Sequence, residues 1–136
     1  MLHMLDTDIA SYVINDYGGT HVLEKLNALR FGEACVSALT RAELLFGLKK
    51  LPPKHRLHIG VRKFLNSVTV LPWEAEAAEF YAEIRYEHTR TGTLIGEIDM
   101  LIAAHAIATD AVLVTNNARH FKRIKLPLMM ANWMDS

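Results

Sequence analysis

The sequence predicts an α/β fold of three layers: a short parallel sheet covered by helices on both faces. Three observations carry this. Short apolar runs, several rich in β-branched residues, alternate with amphipathic segments along the chain. The apolar runs lack the period-two polarity of a sheet with one wet face, so both faces are expected to be covered. The 136 residues are 51% hydrophobic, enough for one core, and no linker or repeat divides them. Residues 1–136 are therefore expected to form a single domain.

Residues 2–5 read as the first strand. It stops at Asp6-Thr7-Asp8, and a helix follows through Ile14 with Thr7 or Asp8 available as its cap. Gly18-Gly19 break the chain, and Thr20 can cap a second helix carrying Val22, Leu23, Leu26 and Leu29. Residues 34–37 are a second strand, feeding a helix over about 40–50 that Pro52-Pro53 end. A helix over 55–66 and a strand over 68–71, closed by Pro72, come next. A long amphipathic helix over 73–88 follows, with Ala77, Ala78, Phe80, Tyr81 and Ile84 in its stripe. After a loop over 89–97, residues 98–108 form a helix apolar on every side and thus buried. A β-branched strand over 111–115, a short helix near 118–123 and a last strand near 126–129 complete the chain.

Composition excludes several classes. No apolar run approaches the ~20 residues of a membrane span. The N-terminus lacks the pattern of a secretory leader, and Cys35, the only cysteine, allows no internal disulfide. These features point to a cytoplasmic protein with no membrane partner. The 15 basic and 15 acidic side chains balance, which counts against strong sequence-independent nucleic-acid binding. The basic residues are nevertheless clustered, at Lys49, Lys50, Lys54, Arg56, Arg62 and Lys63 and again at Arg119, Lys122, Arg123 and Lys125. Glu74, Glu76, Glu79, Glu83 and Glu87 read as a solvated helix face. There is no GxSxG, P-loop, GxGxxG or zinc spacing. His55 and His58 read as surface residues, His105 as a packing histidine, and Cys35 as an inert buried thiol.

In open parallel sheets, sites form beyond the carboxyl ends of the strands. Asp6 follows the first strand and Thr115-Asn116-Asn117 the fourth. Glu43 lies one turn into the helix after the second strand, among Ala42, Leu44, Leu45 and Phe46, and Asp99 opens the apolar helix. Asp6 and Asp99 can each cap a helix, and Asn117 can serve a turn. Convergence would give them chemistry, because oxygen ligands aimed at one crevice repel one another unless a cation sits between them. Hard oxygen donors without thiolate or imidazole partners suit magnesium or manganese.

Leu5-Asp6-Thr7-Asp8-Ile9, Thr40-Arg41-Ala42-Glu43-Leu44-Leu45-Phe46-Gly47, Ile95-Gly96-Glu97-Ile98-Asp99-Met100-Leu101-Ile102-Ala103-Ala104-His105-Ala106 and Val114-Thr115-Asn116-Asn117-Ala118-Arg119-His120-Phe121 resemble the successive motifs of VapC-type toxins, which are PIN-domain ribonucleases. The closing Ala131-Asn132-Trp133 is also similar to their C-terminal end. The resemblance spans essentially the whole chain. It implies a PIN-like fold and the toxin component of a type II toxin–antitoxin system. It also implies an endoribonuclease dependent on Mg2+ or Mn2+, a homodimer, an RNA substrate and a cognate VapB-type antitoxin. The family's first motif more often reads Asp-Thr-Asn, so Asp8 adds a carboxylate near the metal. Its fourth acidic position matches Asn117, an amide without charge, and His120 stands where members often carry an acid, which favours one metal ion over two. On this reading Asp6 and Asp99 hold an ion that polarises a phosphate oxygen and acidifies water. Glu43 holds it directly or through water and orients or deprotonates the attacking water. Thr115 and Asn117 fix the water network, and Arg41, Arg119 and Lys122 contact the RNA backbone.

Residues 44–51 are apolar on more than one helix face. Phe46 and Leu48 are roughly opposite, so at least one should face outwards. Lys49, Lys50, Lys54 and Arg56 would suit an acidic partner segment, and an amphipathic antitoxin helix here could carry an arginine or lysine to the acids. Two other readings use the same residues. An apolar strand before Asp-x-Asp is similar to the haloacid-dehalogenase phosphatases, with Asp6 as nucleophile and Asp8 as general acid, but Thr-Asn-Asn stands where their later paired acids belong. A catalytically inert PIN-like binding scaffold would be marked by loss of the acids, and three are present.

Overall fold

The computed structural model describes residues 1–15, 19–92 and 95–134. Five strands form one sheet: β1 (His3–Leu5), β2 (Ala34–Ser37), β3 (Thr69–Leu71), β4 (Val112–Val114) and β5 (Met129–Ala131). Every pairing is parallel and the order is β3-β2-β1-β4-β5. Strand alternation sends side chains to both faces. Leu5, Val36 and Val114 enter one core, with α1 (Thr7–Asn15), α2 (Gly19–Asn27), α3 (Ala38–Lys49) and α4 (Leu57–Ser67). Met4, Cys35 and Leu113 enter the other, with α5 (Ala75–Thr91), α6 (Glu97–Ala108) and α7 (Ala118–Phe121). Each central strand is thus apolar on both sides, which is why the sequence shows no period of two. Among the described residues no helix is long and apolar enough to cross a membrane. Cys35 is buried, and burial pushes its thiol up to about 12.

Several boundaries differ from expectation for local reasons. The cap of α1 is Asp6, whose Oδ1 accepts from the Ile9 N–H at 2.9 Å; Thr7 and Asp8 lie inside the helix. Helix α3 starts two residues early because Ser37 caps it, its hydroxyl accepting from the Leu39 N–H at 3.1 Å. Helix α5 runs on through Thr91 to Gly92, whose φ of 71° ends it in the left-handed region. Its buried stripe is Ala77, Ile84 and His88, and Ala78 faces solvent. Strand β5 starts three residues later than expected, at Met129 instead of 126, because Pro127 has no N–H for the ladder. His55 and His58 are half-buried, not surface residues. His55 Nδ1 accepts from the Leu57 N–H at 3.2 Å, and His58 Nε2 is buried without a partner. Gly18 falls outside the described residues, and Thr20 lies inside α2, which starts at Gly19, not before it.

Phe121 ends α7 and is among the largest fully buried side chains. It fastens the segment that follows Thr115 and Asn117 to the core of α5 and α6. Phe121→Ala is expected to lower stability by about 3–5 kcal/mol in urea unfolding. A loss below about 1 kcal/mol would mean that this segment packs elsewhere.

Candidate active site

Strand β1 is central, so the residue after it enters the middle of the sheet's carboxyl edge. That residue is Asp6, 3% exposed. The buried Thr115 hydroxyl, one residue past β4, donates to its carboxylate, as does the Ile9 N–H. These bonds favour the charged form, but burial outweighs them. Its pKa is pushed up from 3.8 to about 6, with the charges of Asp8 and Asp99 acting in the same direction. Asp99, half-buried in the first turn of α6, is also raised, first by desolvation and then by the charges of Asp8 and Glu43; His120 opposes this. Glu43 is half-buried on α3 and accepts a short hydrogen bond from the Thr7 hydroxyl, which also lies 3.2 Å from that of Thr40.

Asp6, Thr7, Asp8, Glu43, Gly96, Glu97, Ile98 and Asp99 line one crevice of about 280 Å³. The three acids singled out in the sequence therefore share a cavity and one another's field. They do not yet close on a point, and among the described residues no three acidic, histidine or cysteine side chains form a ready ligand cluster. Thr115 stands behind Asp6. Asn117 is held by the Thr115 side chain, its N–H donating to Oγ1 at 2.9 Å, and its own amide donates to Asp8 at 3.4 Å. Arg41, Arg119 and Lys122 are not among the lining residues.

The sequence reading missed Glu97 because it started the helix one residue late. Glu97 is in the first turn of α6 and accepts from the Tyr81 hydroxyl at 3.1 Å, while Arg85 donates to that hydroxyl at 3.2 Å. The first-turn position, two residues before Asp99, was the available signal. Carboxylates with hydroxyl support, and no thiolate, are a donor set that fits a hard divalent cation. Their mutual repulsion is what such an ion would relieve.

Residues 3–126 match the family model of the PIN domain. The chain is 37% identical to Ribonuclease VapC2 of Rickettsia felis, covering 98% of each. It is 38% identical to the tRNA(fMet)-specific endonuclease VapC of Salmonella typhimurium, covering 89% of this chain and 90% of that protein. The crystal structure of VapBC2 from Rickettsia felis bound to a DNA fragment from their promoter superposes with a TM-score of 0.89 at 36% identity, covering 98% of this chain and 99% of that one. The chain belongs to the PIN-domain family and, within it, to the VapC ribonucleases. Nucleases of this family generally depend on a divalent metal ion. The phosphatase reading of Asp6 and Asp8 gives way to this assignment.

Because the folded-state pKa of Asp6 is raised, the native protein binds that proton more tightly than the unfolded chain does. The destabilisation is absent below about pH 4 and fully present above the folded value of about 6. Asp6→Asn retains a good capping side chain. Without divalent ions it is expected to be more stable than wild type at pH 7.5 by roughly 2–3 kcal/mol. The gap should close as pH falls towards 4, as read by urea midpoints across pH. An equal or lower midpoint at pH 7.5 would show that ionised Asp6 is favourable to the fold.

Proposed function

We propose that Asp6, Glu43 and Asp99 are the acid cluster of a Mg2+- or Mn2+-dependent endoribonuclease that is the toxin of a type II toxin–antitoxin pair. In this reading the whole chain acts as one PIN domain in the cytoplasm. The observation that carries the site is the buried Asp6, its proton held up to about pH 6, in one crevice with two further acids. When bound, the cation supplies charge to the carboxylates and polarises the phosphate under attack. Asp6 and Asp99 hold it. Glu43, its carboxylate fixed by the Thr7 hydroxyl, completes the hold and takes the proton of the attacking water. Thr115 orients Asp6, and Asn117 orients Asp8. Arg41, Arg119 and Lys122 contact the RNA backbone. A relative named for cleaving tRNA(fMet) supports an RNA substrate.

A VapB-type antitoxin is the partner this reading requires, and the similarity to the VapBC2 structure from Rickettsia felis supports it. A groove of about 200 Å³ runs between α1, α3 and α4, past Leu51, Leu48, Gly47 and Ser11, to Thr7 and Glu43. An amphipathic helix seated there would have its end at the acids. Phe46 faces outwards at 62% exposure with Lys50 over its ring, whereas Leu48 is buried, so of the opposed pair only Phe46 is a surface side chain.

Glu43→Gln is expected to cut the rate of RNA cleavage by about 10²–10⁴-fold with the fold intact, and EDTA to abolish wild-type cleavage. Cleavage that persists in EDTA would sink the metal-dependent mechanism. Gly47 has open space around it, with nothing within 4 Å of an added Cβ, so Gly47→Phe should fold normally and fill the groove. It is expected to weaken antitoxin binding about tenfold or more by calorimetry. Undiminished affinity would place the antitoxin elsewhere.

A further inference from the structure

Helix α6 carries Asp99 in its first turn and, further along, His105, which is 1% exposed. Its neighbours on the buried side are Ile102, Ala103, Ala104 and Ala106, where packing alone asks for an aliphatic residue. The imidazole is instead aimed at Ser37. Its Nδ1 lies 2.8 Å from the Ser37 hydroxyl, and Ser37 is completely buried. The same hydroxyl oxygen caps α3, the helix that carries Glu43, by accepting from the Leu39 N–H. Burial lowers the pKa of His105 and holds it neutral, so one ring nitrogen is a bare acceptor. With its oxygen engaged by Leu39, Ser37 has its proton available for Nδ1. The Pro72 backbone is a further hydrogen-bond partner of the ring, which partly offsets the effect of burial.

We infer that His105 is a positioning residue: through Ser37 it fixes the first turn of α3 against α6, and so sets the placement of Glu43 relative to Asp99. The inference rests on the proposed reading that these two acids serve one cation. Leu44 and Leu48 of α3 pack in one core layer, and Ile102, Ala103 and Ala104 of α6 in the other. The Ser37–His105 bond is thus a polar link across the layers at the carboxyl end of β2. From Ser37 the path continues up α3 to Thr40, which is fully buried, and to Glu43, both within reach of the Thr7 hydroxyl. Ligand placement tolerates errors of only about 0.5 Å, so a small slip of α3 is felt at the ion.

The test compares His105→Asn, whose amide reaches the position of Nδ1, with His105→Gln, whose amide reaches that of Nε2, and with His105→Leu. Mn2+ affinity is measured by titration, amide exchange by mass spectrometry over residues 39–43, and kcat and KM on RNA. Leu and Gln are expected to weaken Mn2+ binding about tenfold, speed exchange in the first turn of α3 and lower kcat with KM unchanged. Asn is expected to restore all three. Wild-type Mn2+ affinity and exchange in the Leu and Gln variants would overturn the inference, as would an Asn variant no better than Gln; that pair decides if Leu does not fold. Mn2+ binding that survives both Asp6→Asn and Asp99→Asn would overturn the proposed site instead, while the exchange comparison would still judge the Ser37 link.

Discussion

A carboxylate held out of water at the centre of the sheet edge is the constraint around which the other elements are arranged. Asp6 gains two hydrogen bonds, from Thr115 and the Ile9 N–H, and still remains hard to ionise. Neither bond is incidental. The Ile9 N–H is one of the orphan donors at the start of α1, so the helix needs an acceptor where the site needs a carboxylate. Thr115 follows β4, the strand paired directly with β1, so sheet register brings its hydroxyl to the acid. The site is therefore built from the ends of regular elements, whose positions are set by the core.

That core can carry a strained edge because it is filled on both sides. The alternation of Met4 with Leu5, Cys35 with Val36, and Leu113 with Val114 feeds two separate apolar clusters, and burial of this kind contributes about 1.5–3 kcal/mol per large side chain. Against that, the cost of an ionised Asp6 is roughly the worth of one core residue. The repulsion with Asp8 and Asp99 is tolerable to the fold and available to be relieved by whatever cation enters the crevice.

Much of this was legible in the sequence because it depends on local pattern. The five strands, the apolar α6, an outward side chain at Phe46 or Leu48 and the acids beyond strand ends all follow from periodicity and from the rule that parallel sheets bind at their carboxyl edge. What was not legible depends on tertiary partners. Ser37 moved the start of α3 by capping it, α5 ran on until Gly92 ended it, and Pro127 delayed β5 until pairing with β4 became available. Asp6 read as either a helix cap or a metal-binding acid, with Thr7 and Asp8 as rival caps, when it serves as cap and buried carboxylate together. Glu97 was overlooked because a helix start read one residue late turns a first-turn acid into a loop residue. His105 was rightly read as buried, but its bond to Ser37 joins residues 68 apart, a distance that no periodicity spans.

The groove on α3 and the acid crevice are continuous, since Thr7 and Glu43 line both. On the proposed reading this continuity has a thermodynamic consequence. A divalent ion and a cationic side chain from a partner helix would relieve the same repulsion, so each diminishes what the other can gain. Linkage is reciprocal: a partner that weakens ion binding is itself weakened by the ion to the same degree. The apolar part of the groove, at Leu48 and Leu51, lies outside that competition and can hold a partner whether or not the crevice is filled. Inhibition in such an arrangement divides into an apolar contribution that fixes the partner and a charged one that contests the site, and only the second should depend on the concentration of divalent ions.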